Sequence, residues 1–191
     1  MILGLDISTS ITGATIVDRR GALIYCKAWR TDKKGLSFYR KVDMIKEHIL
    51  FLKTQYPIEK IYVEEPLNMF RAGKSSAQTI SLIQRFNGVV CWIVREAFEI
   101  EPYYINPSSA RKQCGIKTQK GQKAKERALQ YVIENEKDFK IEYTKHGNPV
   151  KGTYDRSDSW VVAQAGHYLW KKEKYEKEKD QKIAQKKYQS G

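Results

Sequence analysis

The chain has little of what would staple, anchor or metallate it. Its three cysteines, Cys26, Cys91 and Cys114, are odd in number and far apart. They offer no CxxC pair, Cys/His zinc spacing or disulfide framework, so reduced and mostly buried thiols are expected. The three histidines, His48, His146 and His167, form no metal pattern. His48 falls in a helical stretch and reads as a surface or packing residue. The longest strictly apolar run, residues 89–94, is far too short to cross a bilayer, so no membrane span is expected. No basic segment precedes the apolar start and Asp6 interrupts it, which argues against a secretory leader. There is no internal repeat.

Negative charge is also scarce. Twenty-two Asp and Glu face 35 Lys and Arg, for a net charge of +13. A merely solubilising surface needs no such imbalance. A polyanionic partner does, and nucleic acid is the commonest. At 191 residues, 41% hydrophobic and 30% charged, the chain reads as one soluble globular domain long enough to bury a core. That domain is expected over 1–170, with 171–191 a Lys/Glu-rich frayed helix or tail adding nonspecific charge.

Apolar and β-branched runs at 2–8, 14–17 and 22–29, separated by turn residues, predict three strands joined by hairpins. Phe38, Val42, Ile45, Ile49 and Leu52 recur at helical spacing before Pro57. Residues 58–65 predict a fourth strand, parallel to the first through a right-handed crossover. A long helix is expected over 75–98, apolar on more than one face, then a short strand at 103–107. Residues 108–127 are strongly basic, 123–134 should be helical, 139–154 read as loop or weak hairpin, and a last helix starts near Asp155.

Against this basic background three acidic positions stand out. Asp6 ends the first strand, Glu64-Glu65 end the fourth, and Asp155-Arg-Ser-Asp158 open the last helix. Asp is depleted in strands and an unpaired buried charge is costly, so Asp6 either serves a metal ion or caps the turn at Ser8–Ser10. Asp155 and Asp158, spaced i, i+3, share one helical face, which equally suits a helix N-terminus. Like-charged carboxylates gathered at one point repel unless a divalent cation neutralises them, and a pair of hard cations on oxygen ligands is the usual arrangement for phosphodiester hydrolysis.

The element order, with Gly4-Leu5-Asp6 followed by Thr12-Gly13, Val63-Glu64 and Asp155-Arg-Ser-Asp158-Ser, resembles the RuvC family of Holliday-junction resolvases over nearly all of residues 1–170. The resemblance implies an α/β ribonuclease H-like fold: a five-stranded mixed sheet, three strands in an antiparallel meander plus parallel strands, flanked by helices. It implies a homodimeric, structure-selective endonuclease that cuts four-way or other branched DNA in paired nicks. Two Mg²⁺ ions, with Mn²⁺ as a substitute, would be held by Asp6, Glu64, Asp155 and Asp158. Lys112, Lys120 and Lys123 match the family's basic residues near the scissile strand, unless they are simply basic surface. Arg71, Lys74, Arg111 and Lys117 would add DNA contacts. Phe70 matches an aromatic that wedges or stacks at the junction, or else anchors its loop in the core. Leu82, Phe86, Val89 and Ile93, with Gly88, would form the dimer face.

Ile7-Ser8 replaces the family's Pro-Gly, and Glu65 leaves the second acid ambiguous. These departures mark a divergent relative, such as one from a phage or other virus, working in the cytoplasm or the compartment that holds its DNA. Competing readings are a YqgF-like ribonuclease H-fold enzyme acting on RNA or flaps, an actin/Hsp70-like nucleotide-binding ATPase, and a catalytically dead DNA-binding module. The ATPase would need a duplicated domain and a second phosphate loop.

Overall fold

Period-two alternation in the strands builds a sheet that is buried on both faces. In the computed structural model, which describes residues 1–66, 76–119 and 121–189, β1 (Ile2–Asp6), β2 (Ile11–Val17) and β3 (Leu23–Arg30) form an antiparallel meander. Helix α1 (Phe38–Gln55) crosses to β4 (Lys60–Glu64), parallel to β1, and α2 (Ala77–Phe98) crosses to β5 (Tyr103–Ile105), parallel to β4. Three helices follow: α3 (Pro107–Gln113), α4 (Ala124–Asn135) and α5 (Thr153–Gln189). The strand order is β3-β2-β1-β4-β5, the five-stranded mixed sheet expected from the sequence.

Leu3, Leu5, Ile61 and Val63 pack with Ile45, Ile49 and Leu52 of α1 and with Phe86, Val90 and Val94 of α2. Ile2 and Tyr62 point to the other face, among Ala128, Leu129 and Val132 of α4 and Val161, Val162 and Ala165 of α5. Successive strand residues face opposite sides, so Gly4 and Asp6 share a face with Ile2, and Glu64 with Tyr62. That face belongs to α5.

Helix α5 lies unusually close to the sheet because two strand residues lack side chains. A Cβ on Gly4 would sit 2.4 Å from the Ala163 nitrogen, and one on Gly13 would sit 1.9 Å from the Asp155 carbonyl oxygen. Both contacts are to backbone, which cannot rotate away. The Thr15 and Ser159 hydroxyls, 2.8 Å apart, fix the helix with a buried hydrogen bond across this seam.

Several boundaries differ from the sequence reading. Strand β2 begins at Ile11 rather than near 14, because Gly13 is paired with Asp6 and the buried Thr12 belongs to the ladder. The short helix α3 was not anticipated, although Asn106 caps it by accepting the Ser108 N–H at 2.9 Å and Pro107 opens it. Helix α5 runs unbroken from Thr153 to Gln189, so the charged stretch after Trp170 continues one helix. On α2, Phe86 and Ile93 are buried in the core and do not join the outward face. Leu82, Val89 and Trp92 are the apolar side chains exposed there, and nothing lies within 4 Å of a Cβ built on Gly88.

The two classes of glycine should behave oppositely. Gly13→Ala should destabilise the protein by more than about 2 kcal/mol, since overpacking here must move backbone. Gly88→Ala should stabilise it by ~0.5–1 kcal/mol by removing a helix-interior glycine from open space. Urea melts of the two variants check both signs.

Candidate active site

The four acids come from three elements that converge at one pole of the sheet. Asp6 closes β1 opposite Gly13, and Leu5 pairs with Val63 in the parallel ladder, so Asp6 and Glu64 end neighbouring strands. Because Gly13 admits the backbone of Asp155 against β2, the start of α5 reaches the same pole. Asp155 sits in the first helical turn and Asp158 one turn later, 4% exposed.

The turn-closing role open to Asp6 is taken by another group, while Asp155 does sit in the first turn of its helix. Ser8, not Asp6, closes the turn after β1: its hydroxyl accepts the Ile11 N–H at 3.1 Å and donates to the Ile11 carbonyl at 2.7 Å. Asp158 lies beyond the helix start, and its Oδ2, though buried, accepts no well-aligned hydrogen bond. Glu65 follows Glu64 with its N–H bonded to the Ile105 carbonyl at 2.9 Å, which extends the ladder by one residue. Alternation therefore turns Glu65 away from the face that Asp6 and Glu64 share.

Gathering these groups disturbs their ionisation. Burial, then the charges of Glu64 and Asp158, hold the Asp6 carboxyl well above its ordinary range. Burial and the Asp158 charge push Glu64 up to about 7. Burial also raises Asp155. Asp6, Glu64 and Asp155 are easier to keep protonated here than in water, the signature of a site short of positive charge.

One cation partly answers that shortage, and it is not among those expected. Lys125 Nζ lies 3.0 Å from Asp158 Oδ2. Burial alone would lower its pKa, but the charges of Asp158, Asp6 and Asp155 outweigh it and hold the ammonium firmly protonated. The sequence did carry a signal for this lysine. Lys125 stands three, four and seven residues before the buried Ala128, Leu129 and Val132, on the face of α4 that packs against α5.

The expected basic residues divide. Arg111 on α3 is near enough to lower the Glu64 carboxyl. With Lys112, Lys117, Ile116 and Ala124 it lines a shallow groove of about 420 Å³ beside the acids. Lys123 instead stands at the exposed start of α4, its ammonium 2.9 Å from Glu126. Phe70, Arg71, Lys74 and Lys120 lie outside the described residues. On the opposite flank, which the sequence reading did not single out, Lys41 donates to the Thr9 carbonyl at 2.9 Å, and Asp32 pairs with both Arg30 and Lys151.

A divalent cation suits this donor set: four carboxylates gathered at one pole, with Asp6, Glu64 and Asp155 held above their ordinary ranges. Among the described residues, no three Asp, Glu, His or Cys side chains converge tightly enough to grip one ion.

No protein-family model matches the sequence, and no curated protein matches it. The structure does have likenesses. Thermus thermophilus RuvC in complex with a Holliday junction substrate superimposes with a TM-score of 0.63 at 15% identity, covering 89% of this chain and 94% of that one. A second T. thermophilus RuvC structure gives 0.60 at 17% identity, covering 89% and 95%. The yeast mitochondrial Holliday junction resolvase Ydc2 gives 0.57 at 12% identity, covering 87% and 77%. The fold is that of the RuvC resolvases. At such identities it is the RuvC-like, ribonuclease H-like architecture that is shared, and the chemistry must be argued from this chain's own acids. Among the described residues no helix is long and apolar enough to cross a membrane.

A gathered acid cluster has a measurable cost in the chelated protein. Glu64 ordinarily titrates near 4.5 and here near 7. The folded state thus binds its proton more tightly, and stability should fall as pH rises between those values. His48 and His167, whose pKa values burial lowers, act in the opposite direction. The comparison that isolates the acid is wild type against Glu64→Gln in EDTA. From pH 5 to pH 8 the wild type should lose on the order of 2 kcal/mol relative to the variant in urea melts.

Proposed function

We propose that this chain is a metal-dependent, structure-selective endodeoxyribonuclease that resolves four-way DNA junctions by phosphodiester hydrolysis. The observation that carries the reading is the convergence of Asp6, Glu64, Asp155 and Asp158 at one pole of a RuvC-like sheet. These four side chains would hold divalent ions, Mg²⁺ or in its place Mn²⁺. Ions held there would supply neutralisation of phosphate charge and activation of a water.

The protein's own contribution is to bring a phosphate to that pole and hold it. Arg111, Lys112 and Lys117 offer cationic groups on one side of the acids, and Arg30, Lys41 and Lys151 stand on the other. A polyanion lying between them is attracted from both flanks, while the acid pole alone would repel it. Lys123, tied to Glu126, fits a role in that outer field better than one beside the reacting phosphate.

Two symmetric strands must be cut in a four-way junction, and one chain carries one acid cluster, so the working unit is a homodimer with a twofold axis. The outward stripe of α2, Leu82, Val89 and Trp92 beside the open Gly88, supports that assembly. Trp92 is 60% exposed, a large aromatic surface to leave in water. Trp92→Glu should therefore convert a dimer to monomers in sedimentation velocity, and linearisation of a supercoiled cruciform to nicking.

The deciding experiment offers four-way, flap, linear duplex and RNA–DNA hybrid substrates with Mg²⁺, Mn²⁺ or EDTA. Preferential, metal-dependent cutting of the four-way junction is expected, and preference for the hybrid or flap would favour a YqgF-like activity instead. Asp6→Asn, Glu64→Gln and Asp158→Asn should each lower cleavage by at least a hundredfold, on the order of 3 kcal/mol or more in the barrier, and leave junction binding nearly intact. Glu65→Gln should be mild. Reversing Arg111, Lys112 and Lys117 should flatten the log Kd against log salt slope by roughly 0.9 per lost phosphate contact.

A further inference from the structure

The acid pole contains its own cation. Lys125 Nζ is 3.0 Å from an Asp158 oxygen that has no well-aligned hydrogen bond. Asp158 is fixed: its side chain is 5% exposed and carried on the helix that the sheet grips at Gly4 and Gly13. Lys125 is anchored at one end only. Its Cα belongs to α4, held against α5 through Ala128, Leu129 and Val132, while its side chain is 63% exposed. A four-carbon stem in solvent can therefore deliver the ammonium to the acids or withdraw it without moving the backbone. The carboxylates that would surround a divalent ion are the ones that attract this ammonium, so ion and ammonium compete for the same negative charge, at Asp158 Oδ2 most directly. Arg111 approaches Glu64 from α3, and Lys123 is paired with Glu126. The direct ion pair with Asp158 belongs to Lys125.

We infer that Lys125 is a resident counter-ion of the acid cluster, a positioning residue that holds Asp158 in the metal-free protein and must be displaced for a divalent cation to bind. The inference rests on the reading above, that the four acids hold such a cation. It implies that the chain trades metal affinity for integrity of the empty site. With the ammonium in place, the acids are partly neutralised and kept from spreading apart. When metal arrives, the ion pair with Asp158 is given up and the measured affinity is lower by that amount.

The test uses the full chain, stripped with EDTA, as wild type, Lys125→Met, Lys125→Arg and Asp6→Asn. Mn²⁺ binding is followed by titration calorimetry and by loss of the free-ion EPR signal, and unfolding by thermal melts with and without Mg²⁺. Lys125→Met, which keeps the length of the stem and removes the charge, should bind Mn²⁺ about tenfold more tightly than wild type. It should also melt lower than wild type in EDTA and show the larger rise in Tm on adding Mg²⁺. Lys125→Arg should stay near wild type in both readouts, which a purely steric role for the lysine stem would not produce. If wild type binds Mn²⁺, Asp6→Asn does not, and Lys125→Met binds no more tightly than wild type, the counter-ion role is wrong while the metal site stands. If neither wild type nor Lys125→Met binds Mn²⁺ or responds to Mg²⁺, both readings fall together.

Discussion

The close contact between α5 and the sheet is the constraint on which the rest of the molecule depends. It requires hydrogen in place of a side chain at Gly4 and Gly13, and it brings the Asp155 backbone against β2 directly opposite the end of β1. A helix packed on a sheet at ordinary distance would leave the Asp155 and Asp158 carboxylates several ångströms further from Asp6 and Glu64. The apolar layer beneath them, Val161, Val162 and Ala165 against Ile2 and Tyr62, holds that approach, and the Thr15–Ser159 hydrogen bond sets its register. The arrangement of the acids is thus a consequence of packing geometry. Their own interactions oppose it.

That opposition explains the distribution of charge around the pole. Burial and mutual repulsion raise Asp6, Glu64 and Asp155 together, a state that a purely structural site would gain nothing from. Cations approach from three elements, Arg111 on α3, Lys125 on α4 and Lys151 before α5, and lower one or more of the acids without fully compensating them. Residual acidity of this kind keeps the site receptive to a further cation. The basic groove of α3 and the pinned turn after β1 lie outside the acids, and under the proposed function they would attract phosphate groups there.

Much of this was legible in the sequence because it depends on local periodicity. The alternation through β1 and β4 and the helical spacing of α1 directly yielded the sheet, its parallel crossover and the two strand-end acids. Glu64 and Glu65 could not be ordered until β4 was paired, since only the register with β1 says which of the two shares a face with Asp6. Lys125 escaped notice among neighbouring lysines because its role depends on a tertiary contact between α4 and α5, although its helical phase with Ala128 and Leu129 marks the face. Phe86 and Ile93 were assigned outward because α2 is apolar over a wide arc, and composition cannot say which part of such an arc the core takes. The glycines at 4 and 13 read only as parts of the motif that resembles the RuvC family, whereas in the structure they admit a helix distant in sequence.

The continuous helix α5 carries one more consequence for where the positive charge acts. Its first turn lies at the acid pole, yet Gln164 already donates to the carbonyl of Gly21, and the His167 ring lies beside that glycine at the far end of β2. By His167 the helix has therefore crossed the whole sheet. From Lys171 to Gln189 the helix continues away from the acids along its axis, rising about 1.5 Å per residue. Lysine outnumbers acid in that extension, but its charge is carried to the pole opposite the cluster, far beyond the screening distance of about 8 Å at physiological salt. It cannot neutralise the acids. Under the proposed function the extension's contacts with DNA would fall along a duplex arm away from the acids, which separates its contribution to affinity from any contribution to the chemistry.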